Sequence, residues 1–216
     1  MFGWVKCGAA YVNCEQLAIV SAKVLHLQAL GASKMGENEV VAAMREWLEK
    51  AVIGLNLCPF AKAVYVKNQV RFVVSTASHL DGWLEDLDRE LNFLAAADPE
   101  VVDTTLLIHP TLLPDFLDFN DFMQLAEAAV AEHELEGLIQ IASFHPRFQF
   151  EGTDPDDLGN FTNRAPFPTL HLLREASITR AVAAFPEAET IYQRNIETLE
   201  SLGLSGWHAL LGKSQD

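Results

Sequence analysis

No lysine occurs between residues 68 and 212 of this sequence. Over that long middle of the chain arginine is the only fixed cation, so an anion bound there must be held by guanidinium groups. Basic residues are scarce throughout: 15 Lys and Arg stand against 30 Asp and Glu, a formal net charge of −15. So acidic a chain repels phosphate backbones and anionic lipid headgroups, which argues against nucleic acid or a membrane surface as partner. Cysteine is sparse as well. Cys7, Cys14 and Cys58 are too few and too unevenly spaced for a disulfide scaffold, which favours a reducing, cytoplasmic location. No apolar run reaches the roughly 18 residues needed to span a bilayer. The phosphate-binding Gly-x-x-x-x-Gly-Lys loop, the dinucleotide Gly-x-Gly-x-x-Gly turn and the Gly-x-Ser-x-Gly nucleophile turn are all missing, so nucleotide hydrolysis and serine-hydrolase chemistry are poor expectations.

What is present is apolar. Half of the 216 residues are hydrophobic, enough to bury one sizeable core. Residues 1–34 differ from the rest, with Lys6, Lys23 and Lys34 against a single Glu15. Because Met35-Gly36-Glu37-Asn38 reads as a start followed by a helix cap, residues 1–34 are expected to be an atypical leader, dispensable or an upstream extension. The competing reading is an ordinary helix from Glu15 to Leu30. Residues 35–216 are read as one α/β domain.

In that domain Val40, Val41, Met44, Trp47, Leu48, Ala51, Val52 and Leu55 recur at helical spacing up to Gly54. A second helix follows a Ser78/Asp81 capping box, with Leu80, Trp83, Leu84, Leu87, Leu91 and Leu94 as its stripe. A third runs from about Asp118 to Glu134. Between them lie β-type runs at 70–75, 104–109 and 138–144. The alternation predicts a small, mostly parallel three-stranded sheet flanked by helices. Two further C-terminal helices are expected, Thr169 to Ala184 and Pro186 to Leu202, the second closed by Gly203.

His109-Pro110 and His145-Pro146 both end predicted strands, where open α/β sheets bind ligands. An 18-residue loop from Glu151 to Pro168 follows, long enough to suggest a functional role. The helix expected next carries His171, Arg174 and Glu175 in its first turns, on one face that should look into the site. This places His145 and His109 as acid/base candidates and Cys58 as a candidate nucleophile activated by one of them. The alternative for Cys58 is a small buried hydrophobe. Arg147, Arg164 and Arg174, with Asn160, Asn163 and His171, are expected to form a binding pocket for a small anionic molecule, either carboxylate or phosphate. Salt bridges to nearby Asp and Glu are the competing use of those arginines. Cys58 and the histidines are also metal-ligand types, but no paired ligand spacing joins them, and no metal is assigned. No cofactor is identifiable, and nothing fixes an oligomeric state.

Four linked motifs add a family resemblance. Leu57-Cys58-Pro59-Phe60-Ala61, Ser143-Phe144-His145-Pro146, the run from Asn160 to Pro168, and Leu170-His171-Leu172-Leu173-Arg174-Glu175 resemble the bacterial domain of unknown function 1415 family over about Glu39 to Leu211. Ala165 stands where serine is common in that family. The resemblance implies no reaction. The functional expectation is an enzyme acting on a small anionic metabolite, with a non-catalytic metabolite-binding or partner-binding module as the alternative.

Overall fold

The stripe that begins at Val40 becomes α1, Glu37–Trp47, continued by a π-helical stretch, Leu48–Ile53. Val40, Met44, Trp47, Leu48, Ala51 and Val52 are buried along it. At the end of the widened turn a Cβ on residue 54 would lie 2.2 Å from the Lys50 carbonyl oxygen, so Gly54 alone lets the chain leave the helix there. The coordinates are a computed structural model whose described residues are 35–185 and 187–211. Residues 1–34, with Cys7, Cys14 and the expected leader, lie outside them, as do Pro186 and residues 212–216.

A short helix α2, Ala61–Val66, leads into β1, Val70–Val74. Next comes α3, Leu80–Ala96, whose cap is His79 rather than the expected Ser78: its Nδ1 accepts from the Gly82 amide at 3.1 Å. β2, Thr104–Ile108, is buried along its whole length. α4, Phe116–Glu132, is capped by the Asp115 carboxylate, which accepts from the Leu117 and Asp118 amides, and β3, Ile139–Phe144, follows it.

One expectation is corrected here. Thr169–Arg174 is a fourth strand, β4, and the helix α5 starts only at Glu175, ending at Ala183. Leu170 and Leu172 alternate with half-buried His171 and are themselves fully buried, a period of two that a helix cannot satisfy. The strand order is β1-β2-β4-β3, with β1 and β2 parallel and β4 antiparallel to both neighbours. The sheet is therefore mixed and four-stranded among the described residues, not three-stranded and mostly parallel. β1, β2 and β3 still point the same way, so their carboxyl ends share one edge, as expected.

Alternation along the strands separates two cores. Val73, Leu107, Ile139, Leu170 and Leu172 meet α3 and α4, where Trp83, Leu87, Leu91, Phe119 and Phe122 are buried. Trp83 stacks on Phe122 at 4.8 Å. Leu106, Ile108, Phe72, Val74 and Phe144 face the other way, onto α1, the π-helical stretch and the C-terminal helix. Each large apolar side chain buried in these layers contributes about 1.5–3 kcal/mol.

The last helix is longer than expected. A 3₁₀ turn, Ala188–Thr190, precedes α6, Ile191–Leu210. Gly203 does not end it but kinks it, with φ at 66°, and the chain resumes its helical path. Buried Trp207 packs edge-on against Phe161 at 5.2 Å, which draws these added turns onto the core.

Candidate functional site

The carboxyl edge of the sheet does bring His109 and His145 together, one on either side of the start of β4. The His109 amide donates to the Pro168 carbonyl and the His145 amide to that of Asn163. Their rings are used in matching ways. His145 Nδ1 accepts from the Arg147 amide at 3.0 Å, while Nε2 lies 3.0 Å from the Leu113 carbonyl and donates to it. His109 Nδ1 accepts from the Thr111 and Leu112 amides, and Nε2 donates to the Ala77 carbonyl at 2.9 Å. Each imidazole closes the turn that follows its own strand. Each also pins the loop leaving the previous parallel strand.

An accepting Nδ1 and a donating Nε2 define a neutral ring. Burial pushes His109 down to about 4 and lowers His145, the Leu113 hydrogen bond opposing the shift. Both rings are almost completely enclosed, at 1% and 0% exposure. His145 stacks on Phe119 at 5.1 Å and His109 meets Trp83 at the same distance. The geometry leaves neither ring a free nitrogen with which to move a substrate proton.

The arginines do not gather. Arg147 reaches the Pro114 carbonyl and lies 3.7 Å from Asp115. Arg164 lies over the Phe161 ring and donates to the carbonyls of Phe148 and Pro155. Arg174, at the far end of β4, sits at the opposite sheet edge, where its guanidinium donates to the Leu94, Ala97 and Val102 carbonyls. It closes the carboxyl end of α3. The expected shared face of His171, Arg174 and Glu175 is lost because the first two lie on a strand. Arg174→Ala should lower stability by about 2 kcal/mol, and Arg174→Lys should recover only part of that, since one ammonium cannot match the planar fork; urea unfolding of both variants checks it. The asparagines are likewise occupied. Asn160 accepts from the Phe150 amide and the Thr153 hydroxyl and donates to the Asp154 carbonyl, and Asn163 donates to that of Ser143.

Cys58 and His171 belong to the other face of the sheet. Cys58 packs against the cluster of Trp47, Leu57 and Ile108, and burial raises its thiol pKa, opposed by the Phe60 and Ala61 amides. A thiol so placed stays protonated, and the sheet stands between it and His109 and His145. His171 pairs across the sheet with Leu106 and Ala142, and its Nε2 lies 2.7 Å from the Thr104 hydroxyl. That hydroxyl donates to the Leu172 carbonyl, so Nε2 is the donor to it. Burial holds His171 at about 4.

A cleft of about 470 Å³ opens elsewhere, between the Leu55–Pro59 turn and α6. Leu55, Pro59, Phe185 and Ile191 form its apolar wall; Asn56, Arg194, Asn195, Glu197, Thr198 and Ser201 supply polar groups. Asn56, at φ 56°, turns the chain, and buried Asn195 donates to the Leu57 carbonyl at 2.9 Å, tying that turn to the helix. The size falls within the roughly 300–1,000 Å³ typical of small-molecule sites.

Residues 39–209 match the family described as protein of unknown function (DUF1415). The chain belongs to this family. No curated protein and no solved structure matches it. The DUF1415 match runs from α1 to the last turn of α6 and so takes in both the histidine edge and the cleft. The motifs that carried the DUF1415 resemblance have structural work in this fold: His145 locks two turns, Asn160 and Arg164 hold the long loop, and Arg174 closes a helix. The cleft residues went unread in the sequence. The signal available was polar Arg194, Asn195, Thr198 and Ser201 at helical spacing on a face where an ordinary packed helix would carry apolar groups.

Proposed function

We propose that this chain binds a small organic metabolite carrying one anionic group, in the cleft between the Leu55–Pro59 turn and α6. The observation that carries this reading is the lining itself, an apolar wall facing the Arg194 guanidinium, two amides, two hydroxyls and a single carboxylate, Glu197. Arg194 is the anion-binding group. Its contact with Glu187 occupies one terminal nitrogen and leaves other donors of the fork unspent. The wall made by Leu55, Phe185 and Ile191 takes the apolar part of the ligand. This favours the binding-module reading over the enzyme, because the ring nitrogens of His109 and His145 are already held by backbone groups.

Thermal-shift measurement and calorimetry with 3-phenylpropanoate, 4-methylpentanoate and inorganic phosphate test the proposal. A monocarboxylate should bind saturably and raise the melting temperature, since a ligand at about 100 times its Kd stabilises the folded state by about 2.7 kcal/mol. Thr198→Trp, which fills the cleft, should abolish binding, and Arg194→Met should weaken it about tenfold. Binding that ignores the tryptophan, or no binding of either carboxylate or of its α-amino derivative, overturns the assignment.

A further inference from the structure

Two residues of opposite charge, Arg194 and Glu197, line the cleft on the same helix without neutralising each other. Each has its contact elsewhere, Arg194 with Glu187 and Glu197 with the Gln193 amide at 3.3 Å. Among the ion pairs of the described residues, none joins the two. One nitrogen of the fork and one carboxylate oxygen are spent in those contacts, and the remaining donors and the second oxygen are left for a ligand.

From this we infer that the ligand is a zwitterion of the α-amino acid type with an apolar side chain, its carboxylate on Arg194 and its ammonium on Glu197. The inference rests on the cleft proposed above as the binding site and adds the second charge. Two adjoining groups of opposite sign complement a molecule that carries both signs a few bonds apart. A phosphate dianion would meet the Glu197 carboxylate, in a chain whose net charge is already −15. A simple amine would meet the Arg194 guanidinium. The zwitterion repels neither group, and Leu55, Pro59, Phe185 and Ile191 offer its side chain an apolar wall. Asn56, Thr198 and Ser201 add neutral donors and acceptors that fix orientation without favouring either sign.

Calorimetry on the full chain tests this with L-phenylalanine and L-leucine, each against its counterpart without the amine (3-phenylpropanoate, 4-methylpentanoate) and without the carboxylate (2-phenylethylamine, 3-methylbutylamine). At least one amino acid should bind about tenfold tighter than both of its counterparts, the effect of one added charge-assisted hydrogen bond. Glu197→Gln should weaken the amino acid about tenfold and leave the deaminated acid unchanged or tighter. Arg194→Met should weaken both. If the deaminated acids bind as tightly as the amino acids, and Thr198→Trp still abolishes binding, the zwitterion is overturned while the anion-binding cleft stands. If neither amino acids nor deaminated acids bind, both readings fall together.

Discussion

Replacing His145 with alanine should cost about 3–5 kcal/mol of folding stability, among the largest effects of any single change in this chain. The side chain is completely buried, stacked on Phe119 with Phe116 tilted against it, so its removal leaves a cavity of aromatic size. The Leu113 carbonyl and the Arg147 amide lose their partner at the same time, and unpaired buried polar groups carry their own penalty. His109→Ala removes the same kind of contacts, from Ala77, Thr111 and Leu112, and should behave alike. Urea unfolding of both variants is the measurement; a loss below about 1 kcal/mol in either would show that the imidazole bonds do not hold these turns. Loss of function in an alanine variant at either position would then report unfolding before it reported catalysis.

Acid should destabilise the protein in a specific window. His109 is held at about 4, well below its ordinary 6.5. The unfolded chain therefore takes up a proton at this residue as pH falls through 6.5, while the folded state resists until about 4. Its stabilising contribution is complete above pH 6.5 and disappears progressively down to pH 4. A depression of that size is worth about 3 kcal/mol. His171 is held at about 4 and His145 is shifted in the same direction, so both add to the fall over the same side of neutrality. Glu127, whose carboxyl is raised by burial, acts in the opposite sense and offsets part of it. Melting temperatures across pH 7.5 to 4 should drop steadily, and His109→Phe should flatten the curve if it folds. A wild-type melting temperature constant from pH 7 to 4.5 would contradict the neutral, buried state of these rings.

The helices were legible because their signal is local. The stripes beginning at Val40, Leu80 and Phe122 each repeat at three and four residues, and the structure places their helices within a few residues of the expected bounds. The strand edge was legible too, since His109-Pro110 and His145-Pro146 each follow an apolar run. β4 was not. Thr169 to Arg174 is a run of only six residues directly before Glu175, where helical spacing resumes, and its strand pairing depends on a gap between β2 and β3 that no local pattern reveals. The same blindness affected the candidate site. A sequence shows that Arg147, Arg164 and Arg174 can bind anions, but not that carbonyls of Pro114, Pro155 and Leu94 reach them first. Nor does it show that the Leu55–Pro59 turn comes to rest against α6, a meeting between segments more than 130 residues apart, as the Asn195–Leu57 bond records.

The antiparallel insertion of β4 sets an order of assembly. Among the described residues β3 bonds within the sheet only to β4, so residues 139–144 lack that neighbouring strand until residues 169–174 have left the ribosome. An emerging chain can zip β1 to β2 around α3 early, whereas its second half must wait with an unpaired apolar strand exposed. Synthesis arrested just before β4 would thus leave the β2 edge uncovered and β3 without a partner, a species prone to self-association.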